Sequence, residues 1–389
     1  MTNPIALIPP LVAGLTNDRQ WPTYIFRASD GTENRTALMG ATQGLRGMGF
    51  DSKGVKSGDG ERILAAFKSA DGLAWLPFWS LASRLSAATT GSAVAVLSVA
   101  YGVYDGATVA LVSPDGRKGT IHTVSNVSGS DITLDPAPVA SEYPAGSWLA
   151  PAMLAFAGSF SRSHTFDFAP LGQFSFTELS PAPVEAGASL PTTYLGHWVF
   201  GQGSGWEDIL PRGSVVASGR NRAAMVGASF QRVTRTIEEP TEFDVSLSLS
   251  IRSPDETSLI WRMQDALGGQ LSGLWVRSYI ADASPLSIDG AVVSVVDKGQ
   301  RAIFEGRHLW DRKNSTGHHV VSVADGDTGE IDITLDPAPA ADAGPLELLF
   351  FCRLAADTIG MQANTDNVQR WDCSITLREL PSETPEPEE

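Results

Sequence analysis

The chain has 389 residues, with 28 Lys and Arg against 44 Asp and Glu (28 − 44 = −16), 42% hydrophobic and 19% charged residues. That is an ordinary globular composition with room for two or three domains, and it excludes an intrinsically disordered chain. Two cysteines, Cys352 and Cys373, exclude a disulfide-built scaffold, and an acidic balance with no Lys/Arg cluster argues against a protein whose task is gripping nucleic acid.

The opening Met1 to Pro10 lacks the basic region and long apolar core of a secretory signal, so synthesis in the cytoplasm is expected. Asp59 is a suitable N-cap for a helix over 61–70, with Ile63, Leu64 and Phe67 on one face. The most apolar window, Ala93 to Val112, is broken by Tyr101, Tyr104 and Asp105 and partly alternates. It reads as two strands rather than a membrane span. Short strands follow at Thr108–Val112, Thr120–Val124 and Ile132–Leu134, with turns at Ser113–Gly116 and Ser128–Ser130. Pro181 to Pro191, built of prolines and small residues, reads as a linker and puts a boundary near residue 185. Glu242–Arg252 alternates strictly, apolar at Phe243, Val245, Leu247, Leu249 and Ile251, which predicts a strand with one wet face. A second helix is expected over Pro254–Leu267, opened by Pro254 and Asp255. Pro381–Glu389 is acidic and proline-rich and is expected to be a disordered tail.

Self-similarity organises the whole. Asp131-Ile-Thr-Leu-Asp-Pro-Ala-Pro138 returns as Asp332 to Pro339, an offset of 332 − 131 = 201. Leu85-Ser86 matches Leu286-Ser287, Trp75 falls on Trp275, Trp79 on Tyr279, and Arg35-Thr36 on Arg235-Thr236. Ile63, Ala66 and Phe67 align with Met263, Ala266 and Leu267. A period near 200 residues is too long for a solenoid, so a tandem duplication of a whole domain is expected, with units over 1–184 and 185–380. The fold class expected is β-rich α+β. Each unit is a β-sandwich or barrel-like module with one short helix, followed by a small β-meander barrel over 88–180 and 288–380.

No constellation of catalytic residues emerges. His308, His318 and His319 lie close in sequence with Asp311, but adjacent residues on a strand point to opposite faces, so a metal site is the weaker reading and a structural role the stronger. His122 reads as a structural histidine. Asp325-Gly-Asp-Thr-Gly-Glu330 lacks the spaced acids of an EF-hand loop and reads as a hairpin turn. Gly201-Gln-Gly-Ser-Gly-Trp206 has no P-loop lysine and reads as a flexible loop. Both cysteines read as buried free thiols. No catalytic, cofactor or metal residues are therefore assigned. Trp75, Trp79, Trp275, Tyr279, Arg35 and Arg235 are the candidate structural or interface anchors, because they recur between the units.

The string Asp30-Gly-Thr-Glu-Asn-Arg35, the helix ending Phe67-Lys-Ser-Ala-Asp-Gly72, the aromatic turn and the meander closing on Ile-Thr-Leu-Asp-Pro-Ala-Pro resemble the distal tail and related minor tail proteins of siphophages and prophages. That pattern usually occurs once per chain; here it occurs twice. The resemblance implies a non-enzymatic structural ring at the tail tip or baseplate of a virion, joining the tail tube to the hub and fibres. Its implied partners are other tail proteins and further copies of the chain, with a pseudo-six-fold trimer favoured over a hexamer. DNA would pass through an acidic lumen without specific binding. The alternative is a peripheral module that binds host-surface carbohydrate or a receptor.

Overall fold

A computed structural model describes residues 5, 15–27, 33–38, 43–51, 72–164, 170–179, 182–183, 190–191, 193–203, 206, 216–220, 242–299, 301–364 and 367–387. The expected first helix over 61–70 and the anchor Arg235 lie outside the described residues.

The fold is β-rich, with strands β1 (Thr16–Gln20), β2 (Thr23–Arg27), β3 (Glu33–Ala37), β4 (Gln43–Asp51), β5 (Leu73–Pro77) and β6 (Ser83–Arg84) opening it. Then come β7 (Ala93–Ala95), β8 (Thr108–Val112), β9 (Gly119–Ser128), β10 (Asp131–Asp135), β11 (Trp148–His164), β12 (Pro170–Glu178) and β13 (Ala182–Pro183). The second half holds β14 (Val216–Arg220), β15 (Glu242–Ile251), helix α1 (Pro254–Leu267), β16 (Leu274–Arg277), β17 (Pro285–Asp289) and β18 (Val292–Val296). After the short helix α2 (Arg301–Phe304) come β19 (His308–Asp311), β20 (Thr316–Asp325), β21 (Glu330–Asp336), β22 (Leu346–Leu354), β23 (Thr358–Asn364) and β24 (Asn367–Glu379).

All of these strands pair antiparallel, and the pairing scheme of the first half returns in the second. In the first, β4 pairs β12, β12 pairs β11, β11 pairs β5 and β8, β8 pairs β9, and β10 pairs β9 and β7. In the second, β15 pairs β24, β24 pairs β22, β22 pairs β16 and β19, β19 pairs β20, and β21 pairs β20 and β18. In the first half the bridge Leu85↔Val96 closes the meander strands on themselves, as expected of a small barrel. Its interior holds Leu85, Val94, Val109, Val124 and Ile132.

Local sequence explains the elements. Strand β15 buries Val245, Leu247, Leu249 and Ile251, while Ser248 is exposed. Helix α1 is capped by Ser253, whose Oγ accepts from the Glu256 N–H at 3.2 Å, with Pro254 in the first turn and Gly268 in the left-handed region (φ 60°) at its end. The cap is thus Ser253, one residue before the expected opening. Its extended φ of −142° lets the side chain fold back over the first turn.

Two expectations are corrected. The stretch after Pro381 was expected to be a disordered tail, yet 381–387 is placed against the body. Buried Leu380 anchors it, Pro381–Glu383 forms a 3-10 turn, and the Glu383 carboxylate pairs with Arg35. The glycine-rich run was expected to be a flexible loop. Instead Trp206 is buried, its ring 4.6 Å from that of Trp198, because aromatic burial outweighs the chain entropy of a few residues.

The largest apolar cluster crosses the boundary near 185: Met48, Trp79 and Trp148 lie in one core with Leu247, Trp261 and Ile375. A run of eight neighbouring strands within the large sheet crosses it as well, in the order β11, β12, β4, β1, β23, β24, β15, β14. Strand β1 is the splint, pairing with β4 on one side and with β23, more than 300 residues away, on the other.

Candidate functional site: the junction of the two halves

The residues of β1 build the junction. Its alternation sends Asn17 and Arg19 into the core, while Thr16 and Asp18 take the opposite face. The Asn17 carboxamide oxygen accepts from the Ser80 N–H at 2.8 Å and so holds the 3-10 turn Trp79–Leu81. Arg19 Nη1 lies 2.6 Å from the Asp265 carboxylate of α1, to which the Tyr101 hydroxyl also donates. Burial pushes the Asp265 carboxyl up, and the Arg19 guanidinium acts against that shift. Ser258 Oγ accepts from the Tyr101 N–H at 2.9 Å, and Gln264 Nε2 donates to the carbonyls of Arg19 (2.9 Å) and Asp357 (3.1 Å). One face of α1 thus reads backbone and side chains of the first half. Arg353 makes a further link, its guanidinium donating to both carboxylate oxygens of Glu33 at 2.6 and 3.0 Å.

A cavity of about 320 Å³ opens beside these contacts, walled by Trp75, Tyr101, Tyr104 and Trp261 and by the guanidinium groups of Arg19 and Arg46. Arg46 is held by Glu178 at 2.5 Å, and its guanidinium carbon lies 5.6 Å from the centre of the Phe78 ring. Two buried donors of the lining, Arg19 Nε and Trp261 Nε1, have no hydrogen-bond partner among the described residues.

The recurring anchors go to separate places. Trp79 and Trp275 are wholly buried, Trp79 edge-on to Trp148 at 6.2 Å. Tyr279 is half-buried under Arg277, at φ 60°, and burial pushes its hydroxyl up to about 12. Trp75 is half-buried on β5. Each of Trp75 and Trp275 receives a parallel bridge from an upstream segment, Ile5↔Trp75 and Val199↔Trp275. Arg35 is engaged by Glu383. These residues are scaffold inside the chain and do not converge on one surface.

Histidines form a second repeated device. In the first half His122 Nδ1 donates to the Pro136 carbonyl at 2.6 Å, and Thr120 Oγ1 lies 2.6 Å from Nε2. In the second, His318 Nδ1 donates to the Pro337 carbonyl at 2.7 Å, and Thr316 Oγ1 lies 3.0 Å from Nε2. Both prolines follow a cis peptide bond. The corner pairing was not visible at the offset of 201, because the second half has five more residues between His and Pro (337 − 318 = 19 against 136 − 122 = 14).

His308 and His319 are cross-strand partners with rings 5.0 Å apart, and the Tyr194 hydroxyl lies 2.9 Å from His308 Nδ1. Burial pushes His308 down to about 4, which keeps the ring neutral at pH 7. Among the described residues no group of three His, Cys, Asp or Glu is placed to hold a metal ion. Cys352 and Cys373 are buried free thiols, both pushed up by burial, Cys373 to about 12. No helix is long and apolar enough to cross a membrane among the described residues. What the junction does chemically is fasten: buried ion pairs, side-chain-to-backbone bonds and one strand ladder hold the halves in a fixed relation. Searched against known proteins, the chain matches no family model and no curated relative.

Proposed function

We propose that this chain is a tandem duplication acting as a structural component of a bacteriophage tail tip or baseplate. It forms part of a ring between the tail tube and the hub and fibres. The observation that carries the reading is that the pairing scheme within β4 to β12 returns within β15 to β24, where β22 and β23 share the place of β11, with the histidine corner in both. A chain with two equivalent units suits a place where six-fold and three-fold assemblies meet, since three chains offer six similar faces. The polar face of the shared sheet supports an acidic lumen: Asp18 and Asp372 lie on it beside the neutral Gln362, Ser374 and Ser248, and the two carboxylates repel a passing polyanion. The chain's other partners are then neighbouring tail proteins, and its place is the virion tail. Native mass spectrometry with negative-stain class averages tests this. A trimer with six lobes is expected; a hexamer of full chains overturns the symmetry, and a monomer at every concentration overturns the ring.

The second reading, a peripheral module that binds host-surface carbohydrate, draws on the aromatic-walled cavity and its two unpartnered donors. Retention on a glycan array, lost in a Trp75→Ala variant, would favour it.

A further inference from the structure

The junction inside the chain is made of two strand edges, and each edge has a counterpart elsewhere whose outer side no described strand covers. Strand β14 stands to β15 as β1 stands to β4. Asp18 pairs Gly47, which pairs Thr177, while Ser218 pairs Asp244, which pairs Arg378. Among the described residues β14 has β15 as its one partner. In the same way the distal part of β11, Ser159–Ser163, stands to β12 as β23 stands to β24. Beyond Phe156 the strand partner of β11 among the described residues is β12 alone.

The geometry points to a second copy of this chain as the occupant of both edges: β14 of one copy pairs antiparallel with the distal part of β11 of the next, repeating the β1–β23 ladder between chains. This inference rests on the ring reading above and names its contact. Continuity with the existing interface carries it, because the halves of one chain already meet through this pair of edges. An edge on one surface that fits a different edge on another is a heterologous contact, the kind that closes rings.

The register follows from the internal ladder. Thr16↔Gln362, Asp18↔Gly360 and Gln20↔Thr358 become Val216↔Ser163, Ser218↔Ser161 and Arg220↔Ser159. The Trp21 N–H donates to Asp357 at 3.0 Å and the Ala363 N–H to Leu15 at 2.8 Å, so odd positions of β1 bond towards β23. Their counterparts Ala217 and Gly219 bond outward, and Ser218 faces Ser161 in a non-hydrogen-bonded pair, the closer of the two antiparallel types.

A double variant Ser161→Cys with Ser218→Cys tests the contact under mild oxidation, read on non-reducing gels beside native mass spectrometry of the unaltered protein. The two natural cysteines are buried and leave the readout clean. A covalent series ending at the trimer is expected, with none from either single variant. Proline at Ala217 removes one outward N–H and leaves the β15 ladder intact, so Ala217→Pro should give a folded monomer. If the unaltered protein is a ring and the cysteines do not join, this contact is overturned while the ring reading stands. If the protein is monomeric and no crosslink forms, both are overturned.

Discussion

Buried His308 is stabilising only while neutral. Its folded pKa of about 4 lies below the unfolded value of 6.5, so between those values the unfolded chain binds a proton that the folded one does not. Stability is therefore full above pH 6.5 and falls as the pH drops towards 4, by on the order of 3 kcal/mol. Urea midpoints of His308→Gln between pH 4 and 7 should show that acid slope flattened. An unchanged slope would assign the acid sensitivity to another group. At this scale the sequence was informative where one residue type has one role: thiols buried in apolar strands, a proline opening a helix, the alternation of β15. It assigned His122 and His318 structural roles but did not pair them as one repeated corner, since five extra residues put them out of register.

Among elements, the close approaches are set by glycines within strands. A Cβ on Gly317 of β20 would lie 2.4 Å from the Tyr194 ring, which is itself buried between Trp275 and His308 and cannot withdraw. Gly317→Ala should destabilise by about 1–3 kcal/mol, read from the urea midpoint. Loss of the cap in Ser253→Ala should reduce stability by about 1 kcal/mol, with Ser253→Gly smaller, as a thermal melt would report. Helix α1 and β15 were legible because periodicities of 3.6 and 2 are local signals. The burial of Trp206 was not, since glycine and serine advertise flexibility and nothing in the spacing says that its ring packs on Trp198 and Phe200 just before it.

For the whole molecule, the internal repeat led to an expectation of two units; the structure shows similar strand pairings in the two halves and one apolar core that runs through both. The junction was illegible because it depends on which edge meets which. Nothing in the string Thr16–Gln20 announces a partner at Thr358–Gln362. Removing one member of a buried ion pair leaves an uncompensated charge, so Asp265→Ala should destabilise by about 3–5 kcal/mol. Because the core crosses the boundary, that loss should appear in a single unfolding transition reported equally by probes in either half. Two separated transitions would show that the halves fold independently.

The splint also has a timetable. Strand β1 leaves the ribosome well before its second partner β23, which ends at Asn364. At bacterial or eukaryotic translation speeds that interval is on the order of tens of seconds, far longer than a hairpin takes to form. During it the nascent first half carries an open edge matched to a strand type that every neighbouring ribosome on the same message is also producing. Crowded polysomes should therefore favour exchange of β1 between chains, and slower initiation should raise the yield of correctly closed molecules.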